Sequence, residues 1–233
     1  MIQKKQKTPL LAVVIFAMNE QDAINATINE LLEFIDGLKI DWELILVDDG
    51  SHDNTGMIMD AWSDRDHRIT SLHHETNMGI GAALKTGFKA ARAELVVPLP
   101  ADGQIPPHEI GTLMDALGHS DIVLASYEKR GDGILRSLLS MGFRTATRLI
   151  MGVDPSTHGF YLARSRLISE LNPLSDTFMY NIELPVLALK AGKSVSTVTV
   201  RPRARKSGES KIFNTRRLGR VIGELVSLRI RHS

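Results

Sequence analysis

Two acidic clusters stand where apolar runs stop, and their residue types suit the handling of amide N–H groups, hydroxyls and cations. In Asp48-Asp49-Gly50-Ser51 adjacent carboxylates offer acceptors for a nucleobase N–H or ribose hydroxyls, and Gly50 allows close backbone approach. The same four residues also read as a tight turn capped by its own side chains. In Asp102-Gly103-Gln104 two oxygen-bearing side chains lie two residues apart on one side of an extended segment. That pairing suits a shared Mg2+ or Mn2+ with a diphosphate, while Pro106-Pro107-His108-Glu109 behind it also reads as a helix start. Asn77-Met78-Gly79-Ile80-Gly81 either aims backbone N–H groups at phosphate or lets a helix pack closely. Arg136 and Ser140, one helical turn apart with Arg144 a turn further, form an anion-gripping or merely solvated stripe. Around Gly208, cations from Arg205 to Lys211 can fold over a phosphate or form a flexible basic loop.

These residues need elements to hold them. Leu10–Phe16 and Trp42–Val47 are continuous β-rich runs, and Glu94–Pro100 is another that delivers Asp102 and Gln104 to its carboxyl end. Ile69–His73 and Asp121–Ser126 read as further strands, and Val195–Val200 as the last. Between them the apolar spacing predicts helices: Ile24, Ile28, Leu31 and Ile35 form one stripe, Ala83, Leu84 and Phe88 another, and Tyr180–Ala191 a third. A helix from about Gly133 to Met151 and a turn at Asp154–Phe160 into a short strand complete the reading. Alternating strands and helices predict an α/β fold with a mainly parallel, Rossmann-type sheet covered on both faces, so the polar clusters meet at one edge.

With 233 residues, of which 43% are hydrophobic and 24% charged, the chain can bury one sizeable core. It has no cysteine, which excludes disulfides and thiolate metal sites and fits a reducing compartment. Leu10–Met18, the longest apolar run, is too short for a membrane span and lacks a cleavage site, so it reads as a strand. The net charge of +1 is unevenly spread: residues 201–233 carry ten Lys/Arg against Glu209 and Glu224, a net of +8, and the rest is at −7. Residues 1–200 are therefore read as the main domain and 201–233 as a basic appendage. Within it Leu218, Val221, Ile222, Leu225 and Leu228 recur at helical spacing among Arg216, Arg217, Arg220, Arg229 and Arg231. Such a C-terminal helix either lies on an anionic leaflet or packs on the core.

In their order and spacing, Val13-Val14-Ile15, Asn19-Glu20, Val47 to Ser51, Asn77 to Gly81, Ala101 to Pro107, Asp121-Ile122-Val123, Arg136 with Ser140, Asp154 with Gly159-Phe160, Glu183-Leu184 and Gly208 to Lys211 resemble the family 2 inverting glycosyltransferases. Within them the likeness is greatest to the dolichyl-phosphate mannosyltransferase branch, which moves a sugar from a nucleotide donor to a polyprenyl phosphate. The resemblance implies a GT-A-like fold, with Glu20 and Asp48 or Asp49 at the nucleoside and Asp102 and Gln104 at metal and diphosphate. It sets Arg136, Ser140 and Lys211 at the lipid phosphate, so that Asp102, Arg136 and Lys211 carry catalysis. Three departures stand out. Met18 replaces a tyrosine, Pro100 replaces an aspartate that would ligate the Mg2+ or Mn2+, and Tyr127 replaces an arginine whose charge Lys129 or Arg130 could supply.

A hydroxyl acceptor would need a carboxylate base, for which Glu183 is the one candidate, whereas a phosphate monoester is already ionised. The expected partners are a nucleotide-diphosphate sugar, a polyprenyl phosphate and an anionic membrane surface or membrane-anchoring partner, with no nucleic acid. The expected location is peripheral, on the cytoplasmic face of a membrane. The alternatives are a nucleotide-sugar-binding protein with weakened catalysis and a transferase acting on a soluble hydroxyl.

Overall fold

Leu11, Val13 and Ile15 face one side of the first strand and Ala12 and Val14 the other, and all five are buried. A strand buried on both faces belongs inside a sheet covered by helices on each side. The computed structural model, which describes residues 8–127 and 159–203, has that layering. Its strands are β1 (Leu11–Ala17), β2 (Trp42–Asp48), β3 (Ile69–His73), β4 (Leu95–Pro100), β5 (Ile122–Tyr127), β6 (Tyr161–Arg164) and β7 (Val195–Val200). The helices are α1 (Gln21–Gly37), α2 (Thr55–Ser63), α3 (Ile80–Ala90), α4 (His108–Leu117), α5 (Ser165–Leu171) and α6 (Tyr180–Lys190). The sheet order is β3-β2-β1-β4-β6-β5-β7.

The apolar stripe of α1, with Ile24, Ile28, Leu31 and Ile35, packs with Met59 of α2 and Ile110 and Leu113 of α4 on the face of Leu11, Val13 and Ile15. On the opposite face Ala83, Leu84 and Phe88 of α3 join Leu167 of α5 and Tyr180 and Leu184 of α6 against Ala12 and Val14. Register aligns Ala17 with Asp48 and Phe16 with Pro100, so β2, β1 and β4 end together. Their carboxyl ends form the edge that carries the acidic clusters.

The expected mainly parallel sheet is present, with one departure. β6 runs antiparallel to both β4 and β5, and α5 follows it at once. The short strand expected after Phe160 is β6, but four residues carry too little periodicity to give its direction, and the seven-residue α5 is an addition to the expected helices. The expected helix near 133–151, most of the Asp154–Phe160 turn and the C-terminal helix lie outside the described residues.

The α3 helix sits so low on the sheet that a Cβ on Gly87 would stand 2.3 Å from Val14 Cγ1 and 3.2 Å from Val47 Cγ2. Gly87→Ala must therefore lift the helix or displace two core valines, and its overpacking should cost about 1–3 kcal/mol. Urea unfolding measures this, and an unchanged midpoint would show that α3 can move away freely.

Candidate active site

At the edge, the loop after β1 and the loop after β2 are laced together. Asn19 N–H donates to Ser51 Oγ (2.9 Å), His52 N–H to Asn19 Oδ1 (2.8 Å), Glu20 N–H to Thr55 Oγ1 (2.9 Å) and Gln21 N–H to Asp53 Oδ2 (3.2 Å). Asn19 takes a left-handed φ of 53° to make this possible. The Glu20 backbone is thereby fixed beside the acidic turn, and Met18 lies against Asn77.

Asp48 and Asp49 are 6% and 5% exposed, and their carboxylates are engaged internally. Asp48 Oδ1 accepts from Ser51 N–H at 3.0 Å, the capped turn that the sequence offered as one alternative. Asp49 accepts from Met78 and Gly79 N–H, both at 2.9 Å, and its Oδ1 lies 2.7 Å from Nδ1 of buried His74. The His74 Nε2 in turn stands 2.9 Å from Thr86 Oγ1. Asp49 thus shapes the wall of the edge, and His74, the residue directly after β3, is a site residue that the sequence reading missed.

The glycine motif follows the close-packing alternative in the same place. Gly79 has φ 99°, and a Cβ there would stand 2.5 Å from the Asp176 carbonyl oxygen; one on Gly81 would stand 2.4 Å from that of Ser175. The glycines admit the 175–177 loop, and Ala82 N–H donates to Asp176 O at 3.2 Å. With Met78, Gly79 and Ala82 N–H groups already bonded, close packing and not a phosphate cradle explains the motif.

Two strands away, Asp102 follows β4 in a turn where Gln104 N–H donates to its Oδ1 at 3.0 Å. Neighbouring strands lie about 4.8 Å apart, so the turn is roughly 10 Å from Asp49, the reach of a nucleoside and its phosphates. The turn is held from three sides. Thr27 of α1 donates to the Ala101 carbonyl (2.9 Å), Arg203 Nε to that of Gly103 (2.7 Å) and Arg203 N–H to that of Gln104 (2.8 Å). Tyr127, at the end of β5, is close enough that burial first and the Asp102 charge second push its hydroxyl pKa upward. No group of three or more His, Cys, Asp or Glu able to hold a metal occurs among the described residues. A hard carboxylate and carboxamide fit Mg2+ or Mn2+ when phosphate oxygens and water complete the shell.

Glu183, the candidate base, is 0% exposed. Its Oε2 accepts from Leu174 N–H (3.1 Å) and Ser175 N–H (2.8 Å), so it anchors a loop and no acceptor hydroxyl reaches it in this conformation. Arg136, Ser140 and Lys211, with Lys129, Arg130 and Arg144, lie outside the described residues. The stretches bearing them nonetheless depart from this edge, at Tyr127 and Arg203.

A family model described as "Glycosyl transferase family 2" matches residues 12–181. The chain belongs to glycosyl transferase family 2. It is 31% identical over 206 residues to the undecaprenyl-phosphate 4-deoxy-4-formamido-L-arabinose transferase of Aeromonas hydrophila, with 87% of this chain and 62% of that protein covered. The Pseudomonas fluorescens protein of the same name is 28% identical over 222 residues, with 93% and 64% covered. The chain thus spans a little under two thirds of these relatives' length. Among solved structures, glucosyl-3-phosphoglycerate synthase from Mycobacterium tuberculosis with Mn2+, UDP and glucosyl-3-phosphoglycerate superposes with a TM-score of 0.71 at 22% identity. That match covers 94% of this chain and 78% of the other, and it shows a shared GT-A-like fold. No helix among the described residues of this family 2 chain is long and apolar enough to cross a membrane.

At the β3 end of the family 2 edge, His73 Nε2 lies 2.8 Å from Asp60 Oδ1 and 2.9 Å from Ser71 Oγ, while Nδ1 lies 3.4 Å from Asp48 Oδ2. Burial pulls the imidazole pKa down, but the bonds to Asp60 and Asp48 outweigh it and leave the value raised. A raised folded value stabilises fully below the unfolded histidine pKa of about 6.5, and the stabilisation is lost as pH rises through the folded value. The effect should be modest because the side chain is 40% exposed. The thermal midpoint is expected to fall between about pH 6 and pH 8, and His73→Asn should flatten that slope. Parallel slopes for both proteins would show that the histidine is not the group titrating.

Proposed function

We propose that the chain is the catalytic domain of an inverting glycosyltransferase that moves a sugar from a nucleoside-diphosphate donor to a polyprenyl phosphate. The observation that carries the acceptor is the burial of Glu183, which leaves a hydroxyl without the base the sequence offered for it. A phosphate monoester, with a second pKa of about 6, arrives as its own charged nucleophile. The names of the relatives, undecaprenyl-phosphate sugar transferases, support the same class of acceptor.

In the reaction a phosphate oxygen of the lipid attacks the anomeric carbon in line. The new carbon–oxygen bond forms as the bond to the nucleoside diphosphate breaks on the opposite face, and configuration inverts. Glu20 and the Asp48-Asp49 turn border the nucleoside, a uridine or a guanosine, while Asp102 and Gln104 would hold Mg2+ or Mn2+ at the diphosphate. Such an ion supplies charge stabilisation to the departing diphosphate. With Pro100 contributing no ligand, donor phosphate oxygens and water would complete the coordination. Arg136, Ser140 and Lys211 grip the acceptor phosphate in this reading.

Turnover with UDP- and GDP-sugars and a polyprenyl phosphate tests the proposal. Asp102→Asn should lower kcat/KM by roughly 100-fold or more, the scale of losing several kcal/mol of charge stabilisation, with folding unchanged. Full activity in that variant would remove Asp102 from the chemistry.

An acceptor embedded in lipid requires the enzyme to work at a surface, peripherally and on the cytoplasmic face, either directly or through a membrane-anchoring partner. The basic stretch from Arg201 onward supplies charge for direct attachment, each cation near an anionic surface contributing up to about 1 kcal/mol. The protein should sediment with anionic vesicles and be released by salt as screening shortens the reach of its charges. Equal partition onto neutral and anionic vesicles would argue against that attachment.

A further inference from the structure

Arg203 lies just beyond β7 and is joined to two distant parts of the chain. Its backbone N–H and Nε donate to the carbonyls of Gln104 and Gly103, at 2.8 and 2.7 Å. The guanidinium fork meets both carboxylate oxygens of Glu30 on α1, with Nη1 at 2.8 Å from Oε1 and Nη2 on Oε2. The Asp102 turn hinges on Gly103, whose φ of 68° is one that glycine can leave or reverse at little steric cost. A peptide beside such a glycine keeps its orientation only when its carbonyl is bonded, and Arg203 supplies that bond one residue after Asp102.

Resting on the donor reading above, we propose that Arg203 is a positioning residue for the metal and diphosphate loop, with Glu30 as the counter-charge that aims its guanidinium. A guanidinium is protonated throughout the accessible pH range, so the side chain remains a donor. A lysine cannot grip a carboxylate with a planar fork while also reaching a carbonyl. Arg203 and Glu30 side chains are each about one-third exposed, at 33% and 31%, so the ion pair alone adds little stability. The position of the loop is what the pair controls.

The test measures Mn2+ binding by the full chain, in the presence of UDP or GDP, from the spectroscopic signal of the free ion, alongside urea unfolding. Arg203→Ala should raise the Mn2+ dissociation constant roughly 10- to 100-fold, the usual cost of losing a residue that supports a metal ligand. Arg203→Lys should recover only part of that loss. The double variant Glu30→Arg with Arg203→Glu rebuilds the ion pair but removes the donor to Gly103. It should unfold close to the wild-type midpoint, since the pair adds little stability, while leaving Mn2+ binding weak. Recovery of Mn2+ binding by the exchange, or unaltered Mn2+ binding in Arg203→Ala, would overturn the positioning role. If the wild-type chain binds no Mn2+ with either nucleotide, the donor reading itself fails and the positioning role with it.

Discussion

A carboxylate withdrawn from water needs donors in its place, and that requirement at Asp49 organises the whole carboxyl edge of the sheet. Its two oxygens take the N–H groups of Met78 and Gly79 and face His74, which ties the end of β2 to the residue after β3 and to the start of α3. Because α3 begins there, Gly79 and Gly81 can receive the 175–177 loop backbone to backbone. Lys85 then bonds the Leu174 carbonyl at 3.0 Å, and Glu183 holds the same loop from α6. Replacing Asp49 would therefore disturb the loop beside α6 as well as the acidic turn after β2.

The opposite edge uses the same device for a different end. Glu43, 4% exposed on β2, accepts from Arg92 N–H (2.6 Å) and Ala93 N–H (2.8 Å) and pairs with the Arg92 guanidinium. It closes the turn from α3 into β4 far from any substrate. Two buried acids six residues apart, one on β2 and one just beyond it, thus fasten both ends of α3, and only the one at the carboxyl edge borders the candidate site.

Much of this architecture is legible in the sequence because it is local. The runs at Leu11 to Ala17 and Leu95 to Pro100 are unbroken and apolar, the stripe from Ile24 to Ile35 keeps helical spacing, and each acidic cluster directly follows its strand. What escaped depends on distance along the chain. Arg203 meets Glu30 across 173 residues, and nothing local to either announces the other. That Asp49 turns inward and Glu183 lies wholly inside are likewise facts of tertiary packing, since their motifs read identically whether the carboxylate faces solvent or protein. The direction of β6 was hidden by its four residues, too few to declare a partner.

That reversed strand has a consequence for how such a protein can change. β5 ends at the substrate edge and antiparallel β6 begins there, Ala125 N–H bonding the Phe160 carbonyl at 2.9 Å. Both anchors of the chain between them therefore lie on adjacent strands at one edge of the sheet. Changes of length between those anchors need not shift the register of β5 against β6. The strands that carry the acidic turns are fixed by that register, whereas the stretch proposed to meet the acceptor enters and leaves at adjacent strands, so new acceptors can be acquired without a new fold.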